Sequence, residues 1–207
     1  MKLDLHIHTI YSKHSLLSLE KLKKLEFKTG IKPVITDHAV ISGNKKYRCV
    51  ICAEEITTKQ GDVLAYFIHE AIPNHLDIFE TIDRVREQGG LIALPHPFDI
   101  FRKERLDYRY INKINWDFIE VFNGFTFFNK QNKMAYDLAK KLRKPMCVGS
   151  DNHTAFGYGR TYVEMDEFSS KKEFMQNLKK ANLVAKRLPL AAFLSVPVMH
   201  LRTLFVK

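Results

Sequence analysis

Short apolar runs alternate along this chain with segments of helical periodicity, and nearly every run delivers a histidine or a carboxylate at or near its carboxyl end. The runs cover residues 3–8, 34–36, 50–56, 63–68, 91–95, 118–122 and 145–150. Several are brief and almost wholly apolar, as strands buried on both faces of a parallel sheet are. Between them, residues 17–28, 76–88 and 130–143 carry apolar positions at helical spacing. Gly30 and the Gly89-Gly90 pair stand where two of these helices would stop. Such alternation builds βα units, and hence a barrel or an open parallel sheet. No internal repeat or low-complexity segment interrupts it.

With 207 residues and 45% hydrophobic composition, the chain can bury one sizeable core. The pattern changes after about Glu164. Residues 169–186 read as one basic amphipathic helix, and residues 188–207 form an apolar tail containing Pro189 and Pro197. The expectation is a main α/β domain over residues 1–164 and a small C-terminal appendage over 165–207, packed on it. A membrane-surface or partner-binding segment is the alternative for the tail.

Lys and Arg outnumber Asp and Glu by 33 to 23, a formal charge of +10. Such a balance suits nucleic acid, an anionic membrane or an anionic substrate. The bases lie in small scattered clusters, which read more simply as solvated helix faces. Cys49 and Cys52 form a CxxC with no second pair after it, so a structural zinc knuckle is not expected. With Cys147 they read as reduced thiols of a cytoplasmic protein. The N-terminal MKLDLHIHT has no apolar run of the secretory kind. No stretch approaches the roughly 18 uninterrupted apolar residues of a membrane span.

The chemistry is carried by what ends each run. His6 and His8 lie two apart on a strand, so both imidazoles point to one face. His38 follows the run ending at Thr36, Glu54 and Glu55 close the next, and His96 follows Pro95. Glu120 lies within a run, and Asp151 and His153 follow Ser150. In parallel α/β folds, active sites form at the carboxyl ends of strands. A lone histidine is more often an ordinary core or surface residue than a ligand. A whole set phased to strand ends points to a metal cluster. Mixed imidazole and carboxylate donors suit zinc, manganese or iron better than magnesium or calcium.

These residues fall in motifs. They are His6-Ile7-His8-Thr9, Thr36-Asp37-His38, Glu54-Glu55-Ile56-Thr57, Pro95-His96-Pro97-Phe98, 119–124 (IEVFNG) and 149–153 (GSDNH). In this order, over residues 2 to about 164, they resemble the PHP (polymerase and histidinol phosphatase) superfamily of metal-dependent phosphoesterases. The resemblance implies a distorted (β/α)7 barrel holding two or three divalent metal ions. By that resemblance His6, His8, Glu55 and Asp151 hold one ion, Glu55 bridges to a second held by His96, and His38 and His153 hold a third. Glu54 is the alternative to Glu55. Where many members have Ser-Asp-Gly, this chain has Ser12-Lys13-His14, and His14 is assigned to the third ion. The histidine that some members carry after Glu120 is missing. The second site is therefore open at one position, takes Glu120, or is weakly occupied.

The implied reaction is hydrolysis of a phosphate mono- or diester by a hydroxide bridging two metals. Asp37, His38 and His153 are the candidates for proton transfer. Arg102, Arg105 and Arg160, with Lys103, are candidate clamps for phosphate oxygens of a small-molecule ester. Two alternatives stand beside this. One is a PHP-type nuclease or proofreading module that grips nucleic acid through the positive charge. The other is a non-catalytic metal-binding module.

Overall fold

The computed structural model describes residues 1–205. Residues 206 and 207 of the expected appendage lie outside the described residues. Within them, in chain order, are β1 (Lys2–Ile7), α1 (Leu19–Thr29), β2 (Ile31–Ile35), α2 (Ser42–Tyr47), β3 (Ala53–Thr58), β4 (Gly61–Tyr66) and α3 (Ile78–Glu87). Then come β5 (Leu91–Leu94), α4 (Tyr108–Ile111), β6 (Phe118–Asn123), α5 (Asn129–Leu142), β7 (Met146–Gly149) and β8 (Thr161–Glu164). The chain continues through α6 (Lys171–Leu178), β9 (Asn182–Ala185), α7 (Leu190–Leu194) and α8 (Val196–Phe205).

Local chemistry explains the first unit. The Ser18 hydroxyl accepts from the Lys21 amide at the start of α1, and Gly30 at φ 70° ends the helix in a left-handed turn. The chain then runs straight into β2, which pairs parallel to β1.

The expected distorted (β/α)7 barrel does not appear as such. The strands form two sheets, in the orders β2-β1-β8-β9 and β3-β4-β5-β6-β7. Among the strands of the described residues, only β1–β2, β5–β6 and β6–β7 pair in parallel. The reason is visible between β3 and β4. Only Lys59 and Gln60 separate them, too few residues for a parallel crossover, so the two strands form a hairpin. The fold is a mixed α/β structure with antiparallel pairs at β3–β4, β4–β5, β1–β8 and β8–β9.

The two sheets meet at two seams. At one, Ile7 bridges to Asn152 in parallel, supported by the Asp151 amide donating to the His6 carbonyl at 2.7 Å. At the other, His38 bridges to Glu55. Both seams lie at the carboxyl ends of β1, β2 and β7. The candidate ligands therefore sit where the sheets touch.

The segment after Glu164 departs from the expected single helix over 169–186. Helix α6 ends at Leu178, and residues 182–185 become β9, which pairs antiparallel with β8. Without β9, the outer edge of β8 would present unpaired backbone groups. Phe174 of α6 is fully buried beside Phe118 of β6, with ring centres 6.0 Å apart. The tail is tied back at two further points: the Leu188 amide donates to the Gly124 carbonyl at 2.9 Å, and Arg202 donates to the Ile10 carbonyl at 3.1 Å. Among the described residues no helix is long and apolar enough to cross a membrane. Cys49, Cys52 and Cys147 are unpaired.

Candidate metal centre

His6 and His8 project from β1 and its continuation, both fully buried, with their Nε2 atoms 3.1 Å apart. The other ring nitrogen of each is occupied. His6 Nδ1 donates to Glu120 Oε1 at 2.9 Å. His8 Nδ1 lies 3.1 Å from Ser12 Oγ, whose own hydrogen goes to Asp37 Oδ1 at 2.7 Å, so the imidazole is the donor there. With Nδ1 protonated, two Nε2 lone pairs face each other in the neutral rings. That arrangement calls for a cation between them.

Carboxylates complete the set. Glu55 Oε2 lies 3.3 Å from His6 Nε2 and 3.1 Å from His8 Nε2. Asp151 Oδ1 lies 3.6 and 3.3 Å from the same atoms. This Asp151 oxygen is buried with no hydrogen-bond partner. Ligands about 2.0–2.1 Å from a tetrahedral ion lie roughly 3.3–3.4 Å from one another. The spacings of His6, His8, Glu55 and Asp151 fit that geometry, and the orphaned oxygen fits a cation as its partner.

Glu55 reaches further. Its Oε1 lies 2.9 Å from His96 Nε2 while its Oε2 faces the His6–His8 pair, which is the geometry of a carboxylate shared by two ions. A third group forms beside the first. His14 Nε2 lies 2.8 Å from His153 Nε2, and His38 Nε2 lies 3.6 Å from Glu55 Oε2. The His153 ring is 4.3 Å from that of His8, and its Nδ1 donates to the Asp151 carbonyl at 2.8 Å, leaving Nε2 free. Donor atoms of His8, His38 and His153, of His6, Glu55 and His96, and of His6, His8 and Asp151 form three sets, each lying within 4.8 Å.

The electrostatics follow from this crowding. Burial opposes charge on His6, yet Asp151, Glu120 and Glu55 together hold its pKa well above the usual value. A proton is thus drawn to the place a metal would fill. Burial pushes His14 down to about 4, His38 down to about 3 and His153 well below its ordinary value. These three are neutral near pH 7, the state in which imidazole binds metal. Burial also opposes ionisation of Asp151 and Glu55. Arg102 and His6 nevertheless hold Asp151 well below the carboxylate range, and His6 and His38 do the same for Glu55.

Two ligand candidates carry backbone strain. His96 at φ 26° and Asp151 at φ 53° are non-glycine residues in the left-handed region, which costs on the order of 1–3 kcal/mol each. Gly149 lies under His6, and a Cβ there would come within 2.3 Å of His6 Cβ and 2.5 Å of Glu120 Oε1.

Several residues take places other than those expected. Glu120 does not face the clustered Nε2 atoms. Its oxygens accept from His6 Nδ1, the His96 amide and Asn123 Nδ2, so it orients ligands instead of offering a free donor. Asp37 is likewise occupied, accepting from the Thr9 amide, the Thr9 hydroxyl and Ser12, which places it behind the cluster and away from proton transfer. Glu54 turns away from Glu55, as strand alternation requires, and accepts from the Ile72 amide.

Of the three arginines, only Arg102 reaches the site, pairing with Asp151 and, at 3.5 Å, with Asp99. Arg105 lies over the Tyr108 ring, and Arg160 donates to the Arg187 carbonyl. Asn123 was not anticipated, although it stands inside the 119–124 motif. Its amide donates to both Glu120 and Asp151 at 3.0 Å.

Beside the third group opens a cavity of about 450 Å³, lined among others by His14, His153, Arg102, Phe125, Phe193 and Met199. Half of that lining comes from the β6–α5 loop and the C-terminal helices, which nothing in the motifs announces.

A mixed α/β fold with histidines and carboxylates clustered at strand ends defines a class of metal-binding proteins, and comparison with known proteins narrows it. Residues 129–183 match the family model described as PHP-associated. The chain is 38% identical over 196 residues to the uncharacterized protein MJ0417 of Methanocaldococcus jannaschii, covering 86% of this chain and 79% of that protein. In structure it matches a two-domain Bacteroides vulgatus protein containing a predicted PHP-like metal-dependent phosphoesterase. That match has a TM-score of 0.68 at 18% identity and covers 90% of this chain and 65% of the other. The chain thus spans just under two thirds of that protein. It also matches Endonuclease Q, solved with a duplex substrate bearing an abasic lesion, with a TM-score of 0.61 at 16% identity, covering 86% of this chain and 56% of the other. The chain belongs to the PHP superfamily.

Proposed function

We propose that this protein hydrolyses phosphate esters with divalent metal ions. The observation that supports this most directly is the sharing of Glu55 between His96 and the His6–His8 pair, the carboxylate bridge of a multinuclear centre. In this reading His6, His8, Glu55 and Asp151 hold one ion, Glu55 and His96 a second, and His14, His38 and His153 a third. Zinc, manganese or iron suits these donors. The unpaired Cys49, Cys52 and Cys147 support a reducing, cytoplasmic setting.

When bound, such ions supply Lewis acidity and lower the pKa of a water toward neutrality. The protein's own groups do the rest. Arg102 lies at the cavity wall beside Asp151 and meets the ester's phosphoryl oxygens, where a guanidinium fork fits two oxygens at once. His14, His38 and His153, neutral through burial, would offer their ring nitrogens to the third ion. Glu120, Asp37 and Asn123 hold the ligand rings and Asp151 in place, so that little reorganisation accompanies the reaction.

The test is a panel of phosphate mono- and diesters run with each metal separately, with metal counted on the same sample. Wild-type protein is expected to cleave an aryl phosphate, and the His6→Ala, His8→Ala double variant to keep its fold and lose activity. Full activity in that variant would end this assignment. A second reading, a nuclease, is favoured by the charge of +10 and by the likeness to Endonuclease Q. It requires cleavage of DNA or RNA with steeply salt-dependent binding.

A further inference from the structure

A row of aromatic rings leads from the metal centre to the protein surface. The His153 ring lies 5.8 Å from that of Phe125. Phe125 stacks on Phe193 of α7, with centres 5.1 Å apart and planes 23° from parallel. Phe193 meets Phe127 edge-on at 5.7 Å, and Phe127 meets Phe128 at 5.0 Å and Phe101 at 6.1 Å. The last three are 44, 45 and 66% exposed, respectively. The Arg187 guanidinium lies over Phe127 and Phe193, 5.5 and 5.7 Å from their centres, and its Nε is buried without a hydrogen-bond partner.

Three segments remote in sequence build this wall: the loop after β5, the loop after β6, and the tail through Arg187 and α7. Its inner rings share the cavity of about 450 Å³ with His14, His153 and Arg102. Leaving several phenyl rings in water is unfavourable, and contiguous apolar patches of this kind mark binding surfaces. Flat rings with a guanidinium across them suit a flat π-system, because stacking and cation–π contact both need one. A purely aliphatic ligand would use the area and neither of these contacts.

We propose that this wall takes the nucleobase of a nucleotide ester whose phosphate lies at the metal centre beside Arg102. The inference rests on the phosphate-ester reading and adds the class of the leaving group. Water adds its oxygen to phosphorus, the P–O ester bond breaks, and the nucleoside leaves as an alcohol carrying the proton. The base belongs either to a mononucleotide or to the end of a strand. Both present the same π-face.

Equilibrium dialysis of the metal-loaded protein tests this with three probes: AMP, a 5′-phosphorylated tetranucleotide and glycerol 3-phosphate. AMP is expected to bind at least about tenfold more tightly than glycerol 3-phosphate, the scale of one base–aromatic stack. Phe193→Ala should erase that margin and Phe193→Tyr should restore it, with melting curves showing all three proteins folded. Equal affinity for AMP and the tetranucleotide assigns the wall to one base, and tighter tetranucleotide binding assigns it to a strand end. Either result supports the proposal. No margin in wild-type protein, or a margin that survives Phe193→Ala, overturns it. Turnover is scored separately. If no ester is cleaved, the hydrolase reading fails, while the binding margin still decides the aromatic wall.

Discussion

Glu55 Oε1 stands 2.9 Å from His96 Nε2, across a carboxylate whose other oxygen is 3.1 Å from His8 Nε2. One side chain therefore joins histidines that come from different sheets. It sits on β3, at the seam where that strand bridges to His38. Glu55→Gln retains the volume and removes the charge that two ions would share. We expect the metal count to fall by more than one ion, and kcat/KM by roughly 10²- to 10³-fold, corresponding to about 3–4 kcal/mol of lost stabilisation. Metal analysis and aryl phosphate turnover on one preparation check this. A variant with full metal content and turnover would refute the shared role.

Glu54 provides the contrast and a pH prediction. Burial raises its pKa from 4.5 to about 8, only partly offset by the Ile72 amide. Its stabilising contribution is thus fully present below pH 4.5 and is lost as pH rises through about 8. The linkage is worth on the order of 5 kcal/mol at most. Glu54→Gln keeps the bond from the Ile72 amide and cannot ionise. Urea unfolding at pH 5, 7 and 9 should show the variant gaining stability over wild type as pH rises, with turnover nearly unchanged. A difference that stays flat with pH contradicts the assignment.

This pair also shows what the sequence made legible. Period-2 alternation places Glu54 and Glu55 on opposite faces of a strand, but only the packing decides which face meets the histidines. The convergence of His6, His8, His38, His96, Asp151 and His153 was legible because each lies at or just beyond the end of an apolar run. Glu120 and Asp37 lie within the same motifs, and their hydrogen-bond donors, which decide their roles, come from residues as distant as His6 and Thr9. The hairpin β3–β4 was hidden because the apolar runs 50–56 and 63–68 stop six residues apart, whereas the strands extend through polar residues to within two. Strand β9 was hidden because Asn182–Ala185 continues the spacing of a helix until β8 offers it an edge. The aromatic wall depends on α7 returning across the cavity, a tertiary event with no local signal.

Arg102 pairs with Asp151 and Asp99 at the cavity wall, whereas Arg105 and Arg160 are engaged elsewhere. Arg102→Lys keeps the charge and loses the fork. We expect KM for aryl phosphate to rise about tenfold with a smaller change in kcat, since one charge-assisted contact is worth roughly 1.5–3 kcal/mol. Arg105→Ala and Arg160→Ala should stay within about twofold of wild type. Steady-state kinetics on the three variants separate one clamp from three.

Metal removal should lower stability as well as activity. Without a cation, the Nε2 atoms of His6 and His8 face each other at 3.1 Å and Asp151 Oδ1 has no partner. Ions that bind only the folded state at a hundredfold excess over Kd add about 2.7 kcal/mol per site. For a chain of this length that corresponds to a rise in Tm of roughly 5–10 °C. Calorimetry with a chelator, and again with manganese or zinc restored, measures the shift. An unchanged Tm would mean that the ligands are not bound together by the ions.

Gly149 tests whether the floor of the site is as tight as its geometry. A methyl group there would lie 2.3 Å from His6 Cβ and 2.5 Å from Glu120 Oε1. Neither neighbour is a flexible chain end: His6 is fixed by its strand, and Glu120 is held by three donors. Gly149→Ala must therefore push β1 away from β7 at the seam that carries Asp151. Overpacking of this kind costs about 1–3 kcal/mol. The larger consequence is displacement of His6 from Glu55 and Asp151, so metal affinity should fall by more than the stability loss alone explains. Isothermal titration with zinc, set beside urea unfolding, compares the two. A variant that loses stability and keeps wild-type zinc affinity would show that His6 tolerates the shift and that the first ion does not depend on this contact.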